Sequence, residues 1–264
     1  MNGEILHMGR LTLIARQFLK TRRLIDSPDN QSVEKLTFHV RNKYFGLLPY
    51  GQQLEGLNAW LDYLIKKHCV SIFLILPDEI DEHDDLTLYT SFINSNAAWV
   101  IATNTDRDFS VWRRHWKRLP GKDGGWSIDY YEKASPGRDP LEYHMSYDPD
   151  ELPLVLDEIR RFALEIGCRS WAERFEHAAA LLAKKDFQIE DDNDFKELLP
   201  PGKLHLLEVL SQAWVFGGTG SWNEEVSGIA DDQDRKSDYR RYSWSLYRAI
   251  MRGLMYCFND ESRN

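Results

Sequence analysis

Two short segments carry the residue types most suited to binding or catalysis. The segment "AWVFGGTGSWN" (213–223) places three glycines between two tryptophans. Glycine lets a backbone approach a phosphate closely and indole rings offer stacking surface, so this is the composition of a ligand loop. The segment "PDEIDEHDDL" (77–86) surrounds His83 with six carboxylates, which are ligands that divalent metals accept.

A structural role explains the glycine segment better than a phosphate site. A dinucleotide fingerprint needs G-x-G-x-x-G at the start of a helix after a strand, whereas these glycines follow a predicted helix, and no Gly-Lys-Ser/Thr triplet is present. That helix should stop at Gly217 and Gly218, with Gly220 in the same turn. We expect Trp222 to pack back on the helix pair and Asn223 to cap the turn.

The acidic segment has two explanations. It follows a predicted strand, and ligands of α/β sheets gather at the carboxyl ends of strands. A metal-assisted hydrolase would use Asp78, Asp81, His83 and Asp85. The spacing lacks the central Gly and terminal Glu of a calcium loop. The alternative is a solvated helix N-terminus, where carboxylates favour the positive end of the dipole. The sequence favours this alternative and predicts no bound metal and no cofactor.

A predicted hairpin supplies a third candidate. The strand 109–118 interleaves Trp112 and Trp116 with four basic residues, a composition typical of platforms for single-stranded nucleic acid. In a strand Trp112 and Trp116 would share one face with Arg114, while Arg113 and Lys117 share the other. The alternative is a hairpin at the sheet edge, whose basic side chains prevent aggregation. A formal net charge of −9 opposes general binding to nucleic acid, so we favour the edge hairpin.

Catalytic motifs are missing from the sequence. The eight histidines form no H-E-x-x-H and no i,i+4 pair, and no G-x-S-x-G elbow occurs. Three widely spaced cysteines indicate free core thiols in a reducing compartment. The N-terminus lacks the continuous apolar core of a secretory signal, and no apolar run is long enough to cross a bilayer. We therefore expect a cytoplasmic protein without membrane association and lean against an enzyme.

Hydrophobic periodicity predicts a mixed α+β fold, with a sheet, helices and a hairpin in the first half and helices in the second. Helices are expected at 52–68 and around 86–93, a β-α-β element with strands at 70–76 and 97–103, a strand at 36–40, and the hairpin 109–118 with 125–133. The period becomes helical near residue 148, which gives two regions, 1–148 and 149–264, or one continuous domain.

The second half should contain four helices. Apolar residues from Leu152 to Ile166 form one stripe that Gly167 ends. Ser170 and Glu173 make a capping box for the next helix. The segment "IEDDNDFKELLPPG" (189–202) reads as a linker, because its charges and its proline pair cannot continue a helix. Helices at 203–216 and 238–258 complete the chain.

The segment "WVFGGTGSWN" and the helix "YRRYSWSLYRAIMRGLMYCFN" after it resemble bacterial proteins that carry W-V-F-G-G-x-G-S-W-N near their C-termini. The resemblance covers about the last sixty residues. Those proteins usually have a small hydrophobic residue such as Met where this chain has Thr219. The acidic stretch Glu224–Asp238 of this chain is long compared with the corresponding stretch in those proteins. The resemblance implies a polymorphic-toxin immunity protein.

The leading hypothesis is therefore a protein-interaction module that binds and blocks a basic toxin or effector. Acidic surfaces at 78–85, 190–197 and a loop at 224–234 would supply a charged rim, with aromatic anchors, and electrostatic steering would speed the encounter. The predicted partner-binding residues are Asp78, Glu79, Asp81, Glu82, Asp84, Asp85, Glu224 and Glu225. The alternatives are the metal-assisted hydrolase at 78–85 and the nucleic-acid binder at 111–118.

Overall fold

The computed structural model describes residues 3–23, 33–41, 50–75, 86–90, 100–105, 109–120, 125–134, 147–188 and 193–259. The chain divides into two compact units that exchange segments along the sequence. The first, called here the helical unit, comprises Met1–Leu6, Glu79–Ala97 and Met145–Asn264. The second, the sheet unit, comprises His7–Asp78 and Ala98–His144.

In its described residues, the sheet unit contains a six-stranded sheet and two helices. In chain order the elements are α1 (Gly3–Thr21, in this unit from His7), β1 (Val33–Arg41), β2 (Tyr50–Glu55), α2 (Gly56–Lys66), β3 (Cys69–Ile75), β4 (Val100–Thr105), β5 (Phe109–Arg118) and β6 (Trp126–Ala134). The strand order is β2-β1-β6-β5-β4-β3, in which only β1 and β6 run parallel.

Three expectations for this unit are corrected. The predicted helix 52–68 begins only at Gly56, because 52–55 pair with β1 in strand β2. The β-α-β element is wrong, since β3 and β4 are antiparallel neighbours. The hairpin of β5 and β6 is confirmed, but it lies in the middle of the sheet rather than at its edge. Charged side chains on β5 therefore do not protect a sheet edge.

Aromatic rings form the centre of the sheet unit. The ring of Phe38 stacks on that of Trp60 from α2, with centroids 4.6 Å apart, and on that of Tyr130 from β6 at 5.1 Å. Trp112 meets Phe38 edge-on at 5.7 Å, and its Nε1 donates to Thr103 Oγ1. All four rings are fully buried. They attach α2 to one face of the sheet, and such aromatic pairs add to the energy of burial alone.

The helical unit contains six helices in its described residues. They are a single turn α3 (Thr87–Thr90), α4 (Glu151–Glu165), α5 (Arg169–Ala183), α6 (Pro201–Ala213), α7 (Trp222–Asp232) and α8 (Lys236–Asn259). The stripe of α4 is buried as predicted, and Gly167 follows it at a φ of +81°, the left-handed region that favours glycine. With the six-stranded sheet in the first half, these helices confirm the mixed α+β class.

Three expectations for the helical unit are also corrected. The capping box is wrong, because α5 begins at Arg169 and the residue before it, Cys168, makes no side-chain cap. The acidic stretch after the glycines is not a loop, since its first part forms α7. The described part of the predicted linker, 193–202, packs Phe195 against Phe258 and so connects α5 to α6 within one unit.

Two further observations concern the whole described chain. Within the described ranges, no helix is both long enough and apolar enough to cross a membrane. Cys69, Cys168 and Cys257 are buried and free, as the sequence predicts. Burial raises the pKa of the Cys69 and Cys257 thiols to about 12, so both remain protonated.

The buried His7 makes the stability of the sheet unit depend on pH. Its ring meets that of Trp116 edge-on at 5.6 Å, and burial, with Arg10 nearby, lowers its pKa to about 4 from an ordinary 6.5. Between about pH 6.5 and pH 4 the imidazole of His7 is protonated in the unfolded chain but neutral in the native state. The free energy of unfolding therefore falls as the pH falls through this range. Between about pH 8 and pH 5, the free energy of unfolding of the native protein should fall by about 2 kcal/mol more than that of the His7→Leu variant.

Urea unfolding at the two pH values measures this difference. The variant His115→Gln is the control, because it removes an exposed histidine from the same unit. It should show the pH dependence of the native protein. Equal pH dependence of the native protein and His7→Leu would contradict the assignment of the effect to His7.

Candidate functional site

The acidic segment lies outside the described residues. This applies to Asp78, Glu79, Asp81, Glu82, Asp84 and Asp85, to the proposed hydrolase ligand His83, and to residues 190–192 of the second acidic surface. Within the described part of the chain, no three His, Cys, Asp or Glu side chains are grouped closely enough to hold a metal ion. Of the predicted partner-binding residues, the structure places Glu224 and Glu225.

The glycine segment is a turn closed by the side chain of Asn223. Asn223 Oδ1 accepts hydrogen bonds from Gly217 N at 3.0 Å and from Ser221 Oγ at 3.0 Å, and Nδ2 donates to Gly217 O at 3.1 Å. Trp222 N donates to Val215 O at 3.0 Å. Glu224 Oε2 accepts from Gly220 N at 2.5 Å. The backbone groups of the turn are thus directed toward the protein itself.

This geometry argues against a phosphate site in the turn. The N–H groups of Gly217, Gly220 and Ser221 all donate within it, so they are not offered to an anion. Helix α6 ends at Ala213, so Gly217 and Gly218 do not end that helix as expected. Only Gly220, at a φ of +77°, adopts the backbone that favours glycine.

The turn places the side chain of Trp222 in the core of the helical unit. Its ring is fully buried and meets Phe162 of α4, Trp171 and Phe175 of α5, and Tyr239 of α8. Its Nε1 donates to Ser243 Oγ at 2.7 Å, which satisfies the polar atom of the indole. The turn therefore serves the core that joins three helices.

The two acidic residues at the start of α7 also make bonds within the protein. Glu224 closes the glycine turn, and Glu225 Oε2 accepts from Trp171 Nε1 at 3.1 Å. Both occupy the first turn of α7, where the helix dipole stabilises negative charge. Their carboxylates remain exposed at one edge. Each nevertheless has a structural role that the sequence did not indicate.

A second acidic surface, distinct from that of Glu224 and Glu225, lies where the C-terminal ends of α4 and α7 meet. Gln233 Nε2 donates to Ile166 O at 3.2 Å, and Arg235 Nη2 donates to Glu165 Oε2 at 2.8 Å. We define the α4–α7 end as this junction, with the residues Leu164, Glu165, Ile229, Asp231, Asp232 and Asp234. Leu164 and Ile229 are 45% and 37% exposed, so the surface combines carboxylates with two apolar side chains.

The carboxylates of this end are placed against the local electrostatic preference. Asp231 and Asp232 occupy the last turn of α7, where the helix dipole disfavours negative charge. Lys236 pairs with Asp231 at 2.9 Å. Within the described ranges, no hydrogen bond or ion pair reaches the side chains of Asp232 and Asp234. Asp232 is thus unfavourably placed at the C-terminal end of α7, and both carboxylates can attract an external cation.

Charge is distributed unevenly between the units. The sheet unit has 18 Lys and Arg against 13 Asp and Glu, a formal charge of +5. The helical unit has 15 Lys and Arg against 29 Asp and Glu, a formal charge of −14. The chain total of −9 conceals this contrast. Each unit should therefore attract partners of opposite charge.

The hairpin tryptophans face the helices rather than solvent. Register pairs Trp116 with Ile128, and Arg114 with Tyr130, so these residues share the face that carries Phe38. This covered face contacts Trp60 of α2 and His7 of α1. The indole of Trp112 is fully buried. Trp116 is half-buried and contacts His7, and nucleic-acid binding through Arg113, Arg114, Trp116 and Lys117 stays a prediction.

The opposite face of the same three strands is polar, and we call it the polar face. Strand register arranges nine residues in three rows across β1, β6 and β5: Lys35, Ser127 and Lys117, then Thr37, Asp129 and His115, then His39, Tyr131 and Arg113. The outer residues Lys35, Arg113, His115 and Lys117 are exposed, whereas Thr37, Ser127 and Asp129 are buried. The basic side chains therefore lie at the margin of this face, around a buried polar centre.

Asp129 forms the centre of the polar face. Lys117 Nζ donates to its Oδ2 at 2.7 Å, and His39 Nε2 lies 3.4 Å from its Oδ1. Burial alone would raise the pKa of this carboxyl, but the hydrogen bonds from Lys117 and His39 outweigh it and hold the pKa below its ordinary value. The bond to Asp129 raises the pKa of Lys117. Both groups stay charged, and Asp129 orients the imidazole.

The sequence indicated only part of this surface. Arg113 and Lys117 stand out in the sequence as basic residues of β5. His39, Asp129 and Tyr131 are separated from them by 12 or more positions, and no motif joins the two sets. Alternation of polar and apolar residues at 35–40 and 127–131 was an available signal. The parallel pairing of β1 with β6 brings the two polar sets together.

Comparison of the chain with protein-family models, with curated proteins and with solved structures gave no match in any of the three.

The hydrogen bonds of the Asn223 side chain provide a test of the structural role of the glycine turn. Asn223→Ala removes three hydrogen bonds and leaves a half-buried backbone N–H and carbonyl of Gly217 without partners. We expect a loss of about 2 kcal/mol in the free energy of unfolding, measured by urea denaturation. Thr219→Ala changes an exposed residue of the same turn and should stay within about 0.5 kcal/mol of the native protein. A ligand loop would instead leave stability unchanged in Asn223→Ala.

Proposed function

We propose that this protein is an interaction module of the immunity type, which binds and blocks a basic toxin or effector. The observation that carries the proposal is the concentration of negative charge, formally −14, in the helical unit. An acidic surface accelerates encounter with a basic partner and suppresses binding of acidic ones. The likeness of the C-terminal segment to polymorphic-toxin immunity proteins supports the same reading.

The α4–α7 end is the described surface best suited to this role. Interfaces combine apolar anchors with a polar rim, and here exposed Leu164 and Ile229 lie in the last turns of the two joined helices. Asp232 and Asp234 lie beside them without ion-pair partners in the described residues. Basic side chains of a partner would relieve the unfavourable placement of Asp232 at the helix C-terminus.

Two of the contact residues expected from the sequence, Glu224 and Glu225, have hydrogen bonds within the protein. Glu224 and Glu225 already accept hydrogen bonds from Gly220 and Trp171, so contact with a partner would compete with those bonds. The six carboxylates between Asp78 and Asp85 remain proposed contacts, and most of them belong to the helical unit. Their contribution adds to that of the α4–α7 end.

The test searches the neighbouring genes for a basic protein, which then serves as the candidate partner. Expression of that protein alone should arrest growth, and co-expression of this chain should restore it. In Asp232→Asn with Asp234→Asn, the association rate at low ionic strength should fall about threefold to tenfold, with little change in the dissociation rate. Asparagine tolerates the left-handed backbone of Asp234, whose φ is +57°, so the fold should persist.

The matched control is Glu176→Gln with Asp186→Asn, which removes two exposed carboxylates from α5 and the segment that follows it. Surface plasmon resonance at two salt concentrations compares the variants. An equal reduction in the control would show a general charge effect and refute the α4–α7 end as the contact. Failure of the chain to bind or neutralise the basic neighbour would overturn the proposed function.

A further inference from the structure

The outer face of helix α4 carries large apolar side chains that the chain leaves exposed. Leu154, in the first turn, is 65% exposed, and Leu164, in the last turn, is 45% exposed. Asp157 and Arg161 lie between them and are also exposed. These four residues have the spacing of a and d positions in a heptad, so they form one stripe about 15 Å long. We call it the α4 stripe.

The α4 stripe is complementary to itself when it is reversed. A two-fold axis at the level of residue 159 would place Leu154 opposite Leu164 of a second copy, and Asp157 opposite Arg161 of that copy. Each of the four layers then joins an apolar side chain to an apolar one, or an acid to a base. An antiparallel arrangement also sets the positive end of each helix dipole beside the negative end of the other.

The charges of the stripe favour a second copy of this chain over the other occupants. A parallel pair of α4 helices would bring Asp157 against Asp157 and Arg161 against Arg161, so like charges would meet in both central layers. A strongly basic or acidic protein gains little from the stripe, because its one carboxylate and one guanidinium carry no net charge. The reversed copy matches both charges at once.

A third apolar side chain enlarges each end of the interface. Ile229, which is 37% exposed, belongs with Leu164 to the α4–α7 end. Leu154 of the second copy would therefore meet an end that carries two exposed apolar side chains, and the two-fold axis repeats this contact. Removal of these side chains from water supplies the main attraction between the copies.

We propose that the protein self-associates through α4 as an antiparallel, two-fold symmetric dimer, with Leu154 of each copy against Leu164 of the other and Asp157 paired with Arg161 across the axis. A helix pair of this length forms a smaller interface than stable complexes have, so we expect a dissociation constant of roughly 10–100 µM. Leu164 also belongs to the α4–α7 end, so the dimer and the complex with a basic partner exclude each other. The inference does not rest on the proposed function.

Analytical ultracentrifugation of the full chain alone, from about 5 to about 500 µM, measures the dissociation constant of the dimer. Leu154→Glu should raise that constant at least about tenfold, because it introduces a charge into two symmetry-related apolar contacts. The matched control is Val70→Glu, which changes an apolar side chain of β3 that is 61% exposed. The control should dimerise like the native protein. Circular dichroism confirms that each variant is folded.

Exchange of the two charges tests the register of the dimer. Asp157→Arg alone and Arg161→Asp alone should each weaken association about tenfold, because like charges then meet twice across the axis. The combined variant exchanges acid and base and should associate within about twofold of the native protein. Glu158→Gln should strengthen association about twofold, because the two Glu158 carboxylates lie on the same side of the axis and repel each other.

Cysteine cross-linking tests the orientation. A mixture of the Leu154→Cys and Leu164→Cys proteins should form a disulfide-linked dimer under mild oxidation. Either protein alone should not, since equivalent residues of an antiparallel pair lie about 15 Å apart along the axis. The native cysteines are buried and do not compete.

Four results would overturn the proposal. One is a monomer at every concentration in the series. Another is equal loss of the dimer in Val70→Glu, which would indicate only general apolar association. The third is a combined charge variant that associates no better than the single ones. The last is cross-linking of Leu154→Cys to itself as readily as to Leu164→Cys. All these measurements use the protein alone, so they stand or fall separately from the binding of a basic partner.

Discussion

The burial of one indole, Trp222, is the constraint on which the helical unit depends. Its ring fills the space between α4, α5 and α8, where it contacts four other aromatic rings. A buried indole needs an acceptor for its N–H, which Ser243 provides. The chain must therefore turn sharply before α7, and the glycines and Asn223 make that turn possible. Truncation of such a residue typically costs about 3–5 kcal/mol.

The same requirement accounts for the position of the acidic surface. Because Trp222 fixes the start of α7, the far end of that helix meets the end of α4, where Gln233 and Arg235 join the two. The carboxylates at this junction are not favoured by the local dipole. Residues that reduce stability in this way are commonly retained for function, which agrees with a role in binding a basic partner.

In the sheet unit, aromatic packing decides which face of the strands carries the charged side chains. Trp60 and Tyr130 enclose Phe38 on the face that α2 covers, and the tryptophans of β5 lie on that face. Alternation along the strands then directs Arg113, His115 and Lys117 to the other face. The burial that stabilises the unit thus separates the aromatic core from the polar face.

The sequence by itself determined the mixed class, the positions of most helices and strands, and the burial of three free cysteines, because hydrophobic period and turn chemistry are local properties. It also indicated that Asn223 and Trp222 belong to a turn and its packing. Only the tertiary structure decided that β1 pairs in parallel with β6, which places His39 and Thr37 beside Asp129. It likewise decided that 224–232 is helical, because burial of Val226 and Ala230 depends on helices distant in sequence. Strand order and helix packing are properties of contacts between distant segments, so a local pattern could not supply them.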